Sequence, residues 1–147
     1  MAGKISKVLL MVLLLSPLAV QAHSARAVMD KNGNTATFTA LARATCFDDG
    51  TGPADLLLAR IRDNSAEVEG LYVSLQLLKG TRAISITDTV SADADYSDYI
   101  ALEAGNGVYT MMLTKTRAGS RDVDIEWHCM TVDGEHTGTD ILVDQFK

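Results

Sequence analysis

The sequence predicts an all-β protein, an antiparallel β-sandwich of about eight strands. Three observations carry this expectation. Long stretches alternate apolar and polar residues with a period of two, punctuated by Gly, Asn and Asp. No segment holds an apolar stripe at helical spacing through four turns. The two cysteines, Cys46 and Cys129, fall on the apolar faces of two such stretches far apart in the chain, as a bridge between packed sheets requires.

The elements follow in chain order. Lys4 and Lys7 precede an apolar run from Val8 to Leu15, and Val20 and Ala22 supply the small residues before a cut. Residues 1–22 therefore read as a cleaved secretory signal peptide. The run is shorter than the ~20 residues a membrane span needs, so no membrane insertion is expected once it is removed. A cut after Ala27 would need an unusually long segment behind the apolar core, which favours Ala22. The remainder, residues 23–147, suits one domain, exported to the periplasm or secreted.

Asp30-Lys31-Asn32-Gly33-Asn34 opens like a calcium-binding EF-hand loop but has Thr35 where Gly is needed and Leu41 where Glu should close it, so a turn is expected. In Ala36–Cys46, Phe38, Ala40, Ala42, Ala44 and Cys46 share one face of a strand. Residues 54–62, after Pro53, fit a short helix or a strand equally well. Leu71, Val73, Leu75 and Leu77 mark a strand ending at Lys79-Gly80, and Ile84 and Ile86 mark a short one after the turn. Val108–Arg117 alternates more thinly. The clearest strand runs from Arg121 to Val132, with Val123, Ile125, Trp127, Cys129 and Thr131 facing one way and Asp124, Glu126, His128 and Met130 the other. Ile141–Phe146 closes the sheet.

A Cys46–Cys129 disulfide is expected in an oxidising compartment, where an isolated pair has one possible connectivity. The arrangement resembles an immunoglobulin-like sandwich in architecture. It lacks the family's tryptophan between the cysteines, because Trp127 sits two residues before the second one.

Charge narrows the function. Without Lys4 and Lys7 the chain carries 19 acidic residues against about eleven basic ones, which disfavours nucleic acid and anionic membrane surfaces. No GxSxG elbow, HExxH pair, phosphate-binding glycine loop or spare cysteine is present, so no catalytic residue is assigned. No cofactor is expected on the first reading. Under an alternative, a mature chain beginning at His23 binds copper through that residue with His128, Met130 or His136, since imidazole and thioether suit copper. Asp88, Asp93, Asp95 and Asp98 form an acidic loop that offers calcium oxygen ligands at alternate positions. The expectation for function is an exported, non-catalytic module that binds a protein or envelope component. It does so through the loops Asp48–Pro53, Asp88–Ser97 and Asp133–Thr139 or an exposed sheet face.

Overall fold

The computed structural model describes residues 23–147; the leader expected over residues 1–22 lies outside them. Among the described residues the regular structure is nine strands and no helices: β1 (His23–Met29), β2 (Thr39–Phe47), β3 (Leu56–Asp63), β4 (Val73–Lys79), β5 (Arg82–Asp88), β6 (Ile100–Glu103), β7 (Gly107–Lys115), β8 (Arg121–Met130) and β9 (Gly138–Phe146). They form two antiparallel sheets, one ordered β1-β8-β3-β6 and the other β5-β4-β7-β2-β9. The expected β-sandwich is the observed fold.

Alternation explains most of the strands. In β3, Leu57, Ala59, Ile61 and Asp63 are buried and the residues between them are half-buried, which settles the ambiguous stretch as strand from Leu56 onward, with residues 54 and 55 in the preceding connection. The sequence is ambiguous there because Leu56 and Leu58 on the outer side are apolar too, hiding the period of two. β1 and β6 carry no such signal. β1 presents Ala25 and Ala27 where bulky residues would mark a core face, and β6 has only four residues.

The sandwich is fastened differently at its two ends. At one end Cys46 on β2 bridges to Cys129 on β8, with Cα atoms 5.5 Å apart, joining the sheets as expected. Nearby, the Thr137 hydroxyl donates 2.6 Å to the carbonyl of Gly52, stitching two turns together. At the other end Lys115 on β7 donates 2.8 Å to Asp30, just past β1, and both side chains are buried. Asp30 also accepts the backbone N–H groups of Asn34, Thr35 and Gly119, so the segment that opens like a calcium loop is a turn folded onto a lysine. Burial raises the Asp30 pKa, but Lys115 and these three N–H groups outweigh it and hold the carboxyl well below the usual range. A second buried pair, Arg121 with Asp63 at 3.2 Å, lies in the neighbouring strands β8 and β3.

Between these fastenings lies an apolar core that includes Leu57, Ile61, Val73, Leu75, Leu77, Tyr109, Met111, Val123 and Trp127. Replacing both cysteines with serine removes a crosslink that closes a loop spanning 83 residues. In the chain-entropy picture such a loop is worth ~4 kcal/mol. The double variant is expected to lose about that much in a urea titration, and the unreduced parent to show no reactive thiol when unfolded.

Candidate functional site

The outward face of β8 carries Asp122, Asp124, Glu126, His128 and Met130 because Trp127 and Cys129 point into the core. β8 lies between β1 and β3, so its acids meet cations from both sides. Arg26 on β1 pairs with Asp122. From β3, Arg62 pairs with Asp124 at 2.6 Å and Arg60 with Glu126 at 2.8 Å. The segment between β5 and β6 lays two tyrosines over these arginines. The Arg60 guanidinium is 4.3 Å from both the Tyr96 and the Tyr99 ring centres, close enough for cation–π attraction.

Glu126 is the hub. It accepts hydrogen bonds from Arg60 and the Tyr99 hydroxyl, and its Oε1 lies 3.0 Å from His128 Nε2. Burial pushes its pKa up, but the Tyr99, His128 and Arg60 contacts win and bring it down to about 2.

The sequence places His128 on a partly exposed outer face. The structure corrects this: His128 is on that face but buried, at 5% exposure. The cover comes from His136, whose ring centre is 4.4 Å away. His136 reaches it because the hairpin after β8 folds back as an isolated bridge, Met130 opposite His136. The flanking bonds, Thr131 N–H to Glu135 and Thr137 N–H to Cys129, make Met130 and His136 the closer, non-hydrogen-bonded kind of pair. Burial lowers the His136 pKa, and His128 and His23 lower it further. His23 pairs with Trp127 in the β1–β8 ladder. Three of the four copper candidates, His128, Met130 and His136, thus lie on the outer face of β8, while His23 stands opposite Trp127. Among the described residues, however, no three His, Cys, Asp or Glu side chains converge tightly enough to hold a metal ion.

The acidic loop is not drawn together in this way. Asp88 turns inward, accepting the Asp63 N–H at 2.7 Å and the Val90 N–H at 3.2 Å, with its pKa raised by burial. Asp93 accepts the N–H of Asp95, and Asp95 and Asp98 are exposed.

A second feature lies where the edge strands β1 and β9 face each other across the sandwich. The sheets do not close there, leaving an apolar cleft of about 220 Å³. Trp127, Ile125, Met111 and Leu113 line it together with the small side chains of Ala25, Ala27, Ala40 and Ala42, and Ile141, Val143 and Phe146 on β9 border it. Sequence reading missed this cleft. The signal was present: alanine at successive core-facing positions of β1 and β2 makes for thin walls.

The charged state of Glu126 stabilises the fold because its folded pKa lies below its ordinary value of 4.5. That contribution is complete above pH 4.5 and is lost as the pH falls toward about 2. Glu126→Gln is expected to flatten the corresponding acid limb of a plot of urea midpoint against pH. An unchanged limb would place the acid sensitivity elsewhere. No family model, curated protein or solved structure matches this chain, so its function has to be argued from these sites themselves.

Proposed function

We propose that residues 23–147 form an exported, non-catalytic binding module that holds an extended segment of another protein along β9 and in the cleft beside it. The observation that carries this reading is the state of β9. It pairs with β2 on one side, and among the described residues no strand pairs with its other edge. Leu142 and Val143 on it are more than half exposed, and Ile141 and Phe146 more than a third. A long apolar edge is a template for strand addition. The cleft behind it accepts side chains that alternate along an incoming strand. The disulfide is compatible with an oxidising, exported setting.

Charge selects the partner. Acids outnumber bases in this chain, and Asp140 and Asp144 flank the apolar centre of β9. Asp144 is held by Arg43 at 2.7 Å, which leaves Asp140 and the acidic excess of the chain to face an incoming strand. A basic, apolar-alternating segment of a different protein fits that charge, whereas a second copy of this acidic chain does not.

Trp127 is the chain's one tryptophan and lines the cleft, so its fluorescence reports occupancy. A ten-residue peptide alternating valine and lysine is expected to shift Trp127 emission. A valine–glutamate counterpart is expected to have no effect, and Val143→Lys to weaken binding by about tenfold or more. Equal responses to both peptides, no response to either, or a self-associated dimer in sedimentation would each overturn the reading.

A further inference from the structure

We propose that His128, His136 and Met130 form a binding site for a single cuprous ion on the outer face of β8, separate from the β1–β9 cleft. His128 and Met130 are two residues apart on one strand and share a face. His136 stands opposite Met130 in the bridge and brings its ring to 4.4 Å from that of His128. Two imidazoles and one thioether therefore meet at one corner.

The hydrogen bonding of His128 prepares it as a ligand. Its Nε2 lies 3.0 Å from Glu126 Oε1. An ionised carboxylate only accepts hydrogen bonds, so the ring proton belongs on Nε2 and the lone pair on Nδ1. That Nδ1 is buried and has no hydrogen-bond partner among the described residues. A buried acceptor left unpaired is a cost to the fold, and a bound cation offsets it. Glu126 is itself fixed by Arg60 and Tyr99, which is how carboxylates orient and strengthen metal-binding imidazoles.

The ligand set selects the ion. No three His, Cys, Asp or Glu side chains converge among the described residues, so the corner lacks the closed nitrogen, sulfur and oxygen set of a structural zinc site. It lacks the oxygen cage of calcium as well. Thioether sulfur favours Cu(I), which is satisfied by two or three soft ligands. The setting favours a monocation. Leu56 and Leu58 on β3 lie across from Met130 and His128, and the Glu126 carboxylate beside His128 is already paired with Arg60. This ligand set differs from the sequence-based one, because it needs neither the His23 side chain nor a free amine at that residue.

The test uses the exported protein with Cu(I) alone, held anaerobic, in competition with a chromophoric Cu(I) chelator, followed by X-ray absorption. One ion per chain with nitrogen and sulfur scatterers is expected. Met130→Leu should remove the sulfur signal and weaken binding by about tenfold, and His136→Ala by about a hundredfold. Should His136→Ala fail to melt cooperatively, the sulfur signal lost in Met130→Leu still decides the case. Failure to retain Cu(I), tighter binding of Zn(II) than of Cu(I), or unchanged spectra and affinity in Met130→Leu would overturn the proposal. So would loss of the site on acetylating the N-terminal amine.

Discussion

Every outward-facing group of interest depends on which way β8 faces, and the bond between Cys46 and Cys129 fixes that. Cys129 must point toward the other sheet to reach Cys46. Strict alternation then sends Trp127 inward with it and Glu126, His128 and Met130 outward. A one-residue slip of β8 against its neighbours would exchange the two sets, burying the acids and exposing the tryptophan. The crosslink resists that slip at one end of the strand. At the other end Arg121 is buried against Asp63, and any slip would strand one charge without its partner. Breaking such a pair is far more costly than never having built it.

Held at both ends, the sandwich differs at its two long edges. On the β5–β6 side, Arg82 hydrogen-bonds to the carbonyl of Glu103, and Lys79 reaches the carbonyls of Gly105 and Asn106. Long side chains span the gap between the sheets there. On the β1–β9 side the positions that would have to span the same gap are alanines, Ala25 and Ala27 on β1 and Ala40 and Ala42 on β2. The cleft follows from that difference in side-chain length. An exposed apolar edge and an apolar cleft therefore coincide on the β1–β9 side.

How much of this was legible in the sequence depends on how local each determinant is. The sandwich, the disulfide and the inward set of β8 could be read because a period of two is visible within a few residues. β1 could not, since its pairing with β8 from His23↔Trp127 to Met29↔Arg121 rests on backbone bonds with few bulky side chains to announce it. The burial of His128 was out of reach for another reason. It depends on the turn after β8 bringing His136 back onto the strand, a tertiary event to which alternation is blind. The hub at Glu126 has the same origin: Arg60, Tyr99 and His128 come from three parts of the chain. The acidic loop gave the opposite error. Its four aspartates look like a cluster in sequence, yet Asp88 turns inward to accept backbone N–H groups while Asp95 and Asp98 stand in solvent.

Trp127 and His128 are adjacent in the chain, yet they belong to the two opposite sides of one sheet. The proposed cleft and the proposed metal corner therefore share a strand and a single peptide link. Their other components do not overlap: Val143 borders the cleft on β9, while Met130 ends β8 on its outer face and His136 lies in the hairpin that follows. Shared backbone means that a substitution at Trp127 or His128 disturbs both sides at once, and its effect cannot be assigned to either. Substitutions at Val143 and at His136 act through separate contacts, and additivity holds for sites that share no partners. The two proposals stand or fall independently for that physical reason, although both rest on one strand.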